Sequence, residues 1–237
     1  MRIGVFDSGI GGVNVLSSLI KKYPNNEYIF YGDTKNLPYG DKTKKELFSL
    51  ASKAIDFLLT KNVEIIIIAC GTVSSTCYKK LKEKYDIPLF DIISPTIRYL
   101  KKSSIMNIGV IGTKRTIESN VFAINGKNVL MHATPSFVPI IENNEIETKK
   151  DEIIKELKRF KKYDCLVLGC THYPLIKHII NTDLQIKTID MGECLINEIE
   201  ISNNSKKKIE LYFSLVSVNL ILNVDKIILD EHQIYAI

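Results

Sequence analysis

The chain of 237 residues has no tryptophan and only four histidines. It holds no C-x-x-C pair and no G-x-x-x-x-G-K-[ST] loop, so structural zinc of the finger type and Walker-type nucleotide binding are without their signatures. No stretch approaches the ~18 consecutive apolar residues of a membrane span. The opening "MRIGVFDSGIGG" runs from a short apolar stretch into a glycine-rich turn and lacks the apolar core of a secretory signal; the cytoplasm is the expected compartment and no membrane partner is expected. Basic residues are in slight excess, with a formal charge of +5, but they are scattered in short clusters at 42–45, 79–84, 101–102, 158–162 and 206–208. Such clusters read as solvated helix faces; without a stripe or a recognisable module, no nucleic-acid partner is expected. The "GIGG" turn matches only part of G-x-G-x-x-G, because Asn14 stands where the third glycine belongs. Its backbone N–H groups are free instead to receive a carboxylate.

What is present is an aliphatic chain, 45% apolar, with five cysteines at 70, 77, 165, 170 and 194. An odd count with no secretory segment argues for free thiols. Cys165, Cys170 and His172 lie close in sequence, but the two cysteines have opposite strand parity and would face opposite ways; no metal is expected. Apolar runs at 2–6, 28–33, 63–69 and 88–92 read as strands, separated by helical patterns at 12–22, 43–60 and 73–84. "VEIIIIA" lacks alternation, as a parallel strand covered on both faces does. Near Ser94 and Pro95 the cycle restarts. Strands are expected at "NIGVIGT", "VLMHATP", "CLVLG", "QIKTIDMG" and "IELYFS", helices at "KRTIESNVFAI", 150–162, "LIKHII", "ECLINEIEI" and "SVNLILNV", and a loop at "SFVPIIENNEIE". The pattern predicts two parallel-sheet α/β units of about one hundred residues each, plus a tail.

Ligands of open parallel sheets bind beyond the carboxyl ends of the strands. Asp7, Ser8, Cys70, Thr72, Thr113, Cys170 and His172 all fall there. Two such units facing each other would set the thiols on opposite walls of one cleft. One thiol acting as base and the other as acid can take a proton from one face of a carbon and return one to the other, inverting the centre. A free thiol is about 3% ionised at pH 7, so holding it as thiolate costs about 2 kcal/mol unless its surroundings help. A helix N-terminus after each cysteine would help. His172 can exchange a proton with Cys170 or orient it. Asp7 can serve Cys70 as a base, although its charge opposes a resting thiolate. The plainer readings are that strand-end cysteines are small buried hydrophobes, that Asp7 caps its turn, that His172 is structural, and that Pro38 and Tyr39 are turn residues.

The segments "GVFDSGIGG", "YGDTKNLPYG", "FVPIIE" and "GCTHYPL", taken with the two cysteines in order, resemble the glutamate racemases of the aspartate/glutamate racemase superfamily over nearly the whole chain. The resemblance implies cofactor-independent interconversion of L- and D-glutamate, with D-glutamate supplied to peptidoglycan. It implies that Cys70 deprotonates D-glutamate with support from Asp7, and that Cys170 deprotonates L-glutamate with support from His172. Substrate would be held by Asp7, Ser8, Pro38, Tyr39, Gly40, Gly71, Thr72, Thr113, Thr116, Thr171 and His172, with Glu142 at the family's acidic position. It implies two flavodoxin-like domains, at 1–93 plus 206–237 and at 94–205, facing each other across a cleft, and a homodimer. An aspartate racemase, another amino-acid racemase of the superfamily and a non-enzymatic binding protein are the alternative readings. The chain departs from the family at Gly71, where asparagine is usual, and after the last expected strand, where "FSLVS" replaces Thr/Ser-Gly-Asp. Gly71→Asn is expected to be accepted and to restore a donor beside a substrate carboxylate.

Overall fold

The computed structural model describes residues 1–203 and 206–237. Among these residues ten strands, all paired in parallel, form two sheets. The first contains β1 (Arg2–Asp7), β2 (Glu27–Gly32), β3 (Ile65–Ile68), β4 (Leu89–Asp91), β9 (Lys208–Phe213) and β10 (Gln233–Ala236), in the order β10-β9-β2-β1-β3-β4. The second contains β5 (Asn107–Gly112), β6 (Asn128–Ala133), β7 (Cys165–Leu168) and β8 (Thr188–Asp190), in the order β6-β5-β7-β8. The local order is the same in both sheets: second, first, third, fourth. This is the doubly wound flavodoxin-like order, which places the chain reversal between the first and third strands of each sheet.

Burial explains the layering. Strand β3 is a fully buried run of four isoleucines, as its missing alternation requires. On its outer face, Leu47, Ile55 and Leu58 of helix Lys44–Thr60 pack with Ile66, Ile68 and Leu81. That helix begins at Thr43 with a capping box: the Thr43 hydroxyl accepts from Glu46 N–H, and the Glu46 carboxylate accepts from Thr43 N–H at 2.8 Å. On the second sheet's outer face, Ile153, Leu157, Phe160 and Ile179 pack on Leu166 and Leu168. Between the sheets one continuous core joins Val13, Leu16 and Ile20 of helix Gly11–Lys22 with Ile93 and Leu100 of helix Ile93–Lys102 and Leu195 of helix Met191–Glu198. A shared inner layer seats the two sheets against each other with their carboxyl ends converging.

Several local expectations are corrected. "FVPIIE" is a helix, Phe137–Glu142, because Phe137, Val138, Ile140 and Ile141 are all buried in the second unit and an irregular backbone there would strand polar groups. The helix expected over "KRTIESNVFAI" spans only Lys114–Glu118, with Asn120 in the left-handed region at φ 56°. The helix expected at 73–84 is two segments, Gly71–Thr76 and Tyr78–Lys84, divided at Cys77. Strand β10 was not foreseen: its four residues add to the edge beyond β9, with only Ile234 half-buried. The expected domain seam at 205/206 touches residues 204 and 205, which lie outside the described residues.

Candidate active site

Strands β1 and β3 leave the first sheet side by side, and β5 and β7 leave the second. The chain reverses direction at both places, so each sheet presents one strand-end pair to the gap. From the first come Ser8 and Cys70; from the second come Thr113 and Cys170. All four line one cavity of about 620 Å³, measured with its open mouth. Of the other expected residues, Pro38, Tyr39, Gly40, Gly71, Thr72, Thr171 and His172 also line it. Asp7, Thr116 and Glu142 do not; each stands behind a residue that does.

Cys70 is buried and stands at the N-cap position of helix Gly71–Thr76, with its thiol donating to Ser8 Oγ at 3.6 Å. Burial pushes this thiol far up from its ordinary range, and the nearby Asp7 charge pushes it further; hydrogen bonds with Val73 N–H and Ser8 pull weakly the other way. Asp7 is wholly buried. Its Oδ2 accepts from Gly12 N–H at 2.8 Å and Gly9 N–H at 3.2 Å, and Thr171 Oγ1 donates to it from the opposite unit at 3.4 Å. The turn's N–H groups expected to be free for a ligand carboxylate are therefore taken in part by Asp7, which caps the turn and faces the cleft's back wall at once. Burial raises its carboxyl, partly offset by the His172 charge and by the three turn N–H groups.

On the other wall, Cys170 Sγ lies 3.6 Å from His172 Nδ1, and His172 Nε2 lies 2.6 Å from Glu142 Oε1. Burial by itself lowers the imidazole pKa. Hydrogen bonds to Cys170 and Glu142 overcome this and hold it well above its ordinary value, which favours the protonated ring, the form that donates on both sides. Cys170 is not followed directly by an α-helix: a 3-10 turn, Tyr173–Ile176, separates it from helix Lys177–Thr182. The expected helix-terminal help is absent on this wall, and the imidazole stands in its place.

The two units are also joined by hydroxyls. Thr72 Oγ1 and Thr113 Oγ1 are 2.9 Å apart, and Thr113 caps its own helix by accepting from Thr116 N–H while its hydroxyl meets Thr116 Oγ1 at 3.0 Å. Gly11 permits the close approach of the back wall: a Cβ there would fall 2.6 Å from Thr171 Oγ1 and 2.7 Å from His172 N. Gly71 does the same at the floor, where a Cβ would fall 2.8 Å from the Gly169 carbonyl oxygen and 3.1 Å from Met191 Cε. The expected tolerance of asparagine at position 71 is overturned by this contact, since the obstructing atom is backbone. Leu37, Asp41, Lys114, Thr134, Pro135, Val138 and Pro139 complete the lining and were not singled out from sequence. The strand-end position of Thr134 and Pro135, directly after β6, was the available signal; the helix holding Val138 and Pro139 was not legible. Among the described residues no cluster of three or more His, Cys, Asp or Glu could hold a metal ion.

A buried cleft with one sulfur on each wall, each sulfur having its own polar partner, is fitted to proton removal and return on opposite faces of one carbon. The profile of the Asp/Glu/hydantoin racemase family matches residues 33–199. The chain belongs to that family. A glutamate racemase of Hydrogenobaculum sp. is 38% identical over 92% of this chain and 90% of its own length. Glutamate racemase 2 of Caldanaerobacter subterraneus subsp. tengcongensis is 41% identical over 90% of this chain and 87% of its own. Among solved structures, glutamate racemase from Francisella tularensis, in complex with D-glutamate, superposes with a TM-score of 0.88 at 28% identity, covering all of this chain and 97% of that one. The family's activity is racemisation, so the chain is an isomerase. No helix among the described residues is long and apolar enough to cross a membrane.

Proposed function

We propose that this chain is a cofactor-independent glutamate racemase, supplying D-glutamate for peptidoglycan from the cytoplasm and acting as a homodimer. The observation that carries the reading is the paired sulfurs: Cys70 and Cys170 follow the third strand of their respective sheets and line the same cavity. In the direction from L-glutamate, the Cys170 thiolate takes the α-proton while the Cys70 thiol delivers its own to the other face. The enzyme is left with a Cys70 thiolate and a Cys170 thiol, ready for D-glutamate; solvent exchange or the reverse turnover restores the first form. His172, held by Glu142, serves Cys170; Asp7 and Ser8 serve Cys70. Thr72, Thr113, Thr171 and the Pro38–Gly40 wall hold the carboxylates and ammonium, with Thr116 acting through Thr113. The units behind this reading are 1–93 plus 206–237 and 94–205.

The test is incubation of purified protein with L-glutamate in D₂O. Optical rotation should decay to zero as the α-proton is replaced by deuterium, and thorough chelation should not slow either process. Turnover of L-aspartate with none of L-glutamate would sink the glutamate assignment. No exchange with any amino acid would sink the enzymatic one.

A further inference from the structure

Asp33, at the end of β2, is 3% exposed and takes part in no ion pair among the described residues. A buried carboxylate without a cation is costly and persists only when hydrogen-bond donors surround it. Three neutral side chains do so. Tyr39 OH donates to Oδ2 at 2.6 Å, Asn36 Nδ2 donates to Oδ1 at 2.9 Å and Oδ2 at 3.1 Å, and Ser214 Oγ donates to Oδ1 at 2.8 Å. Two of these donors belong to the 34–41 segment that forms one wall of the cleft. The third arrives from the other end of the chain, one residue past β9.

The same junction is stitched by backbone. Ser214 Oγ also accepts from Lys35 N–H at 2.9 Å, Thr34 Oγ1 donates to Leu215 C=O at 2.6 Å, and Leu215 N–H returns to Thr34 Oγ1 at 3.0 Å. These contacts cross about 180 positions of sequence and lie outside the two cysteine walls.

We propose that Asp33 and Ser214 are positioning residues for the active cleft: they clasp the C-terminal return to the 34–41 segment and thereby hold the Tyr39 ring and the Pro38–Gly40 backbone at the substrate. Charge-assisted bonds of this kind are shorter and stronger than neutral ones, and they fix direction as well as distance. The clasp touches no reacting atom. Its loss therefore acts on binding and leaves proton transfer at the sulfurs alone.

The inference rests on the glutamate reading, so the experiment has an arm that does not. With L-glutamate, Ser214→Ala, Asp33→Asn and Tyr39→Phe should each raise KM about tenfold while kcat stays within about threefold, the size of one lost charge-assisted bond. Asp33→Asn combined with Tyr39→Phe should raise KM by less than the product of the two single effects, because both weaken the Tyr39–Asp33 bond. If Asp33→Asn does not fold, Ser214→Ala and Tyr39→Phe carry the test. Unchanged KM in these two, or multiplied effects in the double variant, overturns the proposal. The second arm follows amide hydrogen exchange in wild type and Ser214→Ala. Exchange at Asn36, Leu37 and Lys42 should quicken about tenfold or more while β3 stays protected. Unchanged exchange there overturns the clasp whatever the substrate. Wild type that exchanges no glutamate α-proton refutes only the glutamate reading.

Discussion

Cys70 and Cys170 occupy the same position in two sheets of the same local order, yet their sulfurs meet different chemistry. Around Cys70 stand a hydroxyl and a buried carboxyl, Ser8 and Asp7; burial first and the Asp7 charge second push the thiol toward staying protonated, and Ser8 opposes them weakly. Beside Cys170 stands an imidazole whose pKa is raised by hydrogen-bond partners on both sides. The topology is symmetric and the electrostatics are not. A two-base reaction needs that asymmetry at rest, since two thiols cannot start a turnover and two buried thiolates would repel. Equivalent strand ends supply matched geometry; in the proposed reaction, unequal neighbours would set the order in which the two sulfurs act.

The comparison breaks most sharply when either sulfur is removed. Cys70→Ala and Cys170→Ala should each lose racemisation by about a thousandfold or more, within the range of a lost general acid or base. The serine variants should keep slow, one-sided α-proton exchange: Cys170→Ser with D-glutamate and Cys70→Ser with L-glutamate, read by NMR in D₂O. Exchange with the reverse preference would swap the two faces and keep the two-base scheme.

Removing the neighbours should expose their inequality. His172→Asn should lower kcat about a hundredfold and Asp7→Asn about tenfold. Because the enantiomers are equal in energy, kcat/KM must fall equally in both directions, so the asymmetry appears in kcat and in one-sided exchange. Asp7→Asn also removes a charge that raises the Cys70 thiol, and alkylation of Cys70, followed by mass spectrometry near about pH 8, should be faster than in wild type. Slower alkylation would contradict the placement of that charge.

Gly71→Asn sharpens a third difference, since the first cysteine is followed by a glycine wedged against the opposite unit and the second by a threonine. The new Cβ must displace the Gly169 carbonyl, and a loss of about 1–3 kcal/mol in denaturant unfolding is expected. An unchanged midpoint would mean that the two units part at little cost.

The smallest effect is on pH dependence. The folded-state pKa of His172 lies well above its ordinary 6.5, so its protonation stabilises the folded chain fully below that value, and the contribution fades as pH rises from there through the folded pKa. The stability difference between wild type and His172→Asn in urea should shrink as pH rises above the ordinary imidazole value toward the raised pKa of the folded chain. A difference that grows with pH would mean that the ring is neutral in the fold.

Much of this was legible in the chain itself. Unalternating runs such as "VEIIIIA" and "CLVLG" determine buried parallel strands, because a strand covered on both faces has no polar side to show. The small residues, cysteine and threonine that end them determine where a site can form. Tertiary structure decided the rest. The "FVPIIE" helix forms because the second unit buries it, and its last residue, Glu142, reaches His172 only through that packing. The Gly71–Gly169 contact, the Asp7–Thr171 contact and the Asp33–Ser214 clasp each join residues about a hundred or more positions apart. Periodicity and turn chemistry are local and can be read along a chain. Which hydroxyl, imidazole or carboxylate stands beside each sulfur depends on how two sheets share one core, and that is a property of packing alone.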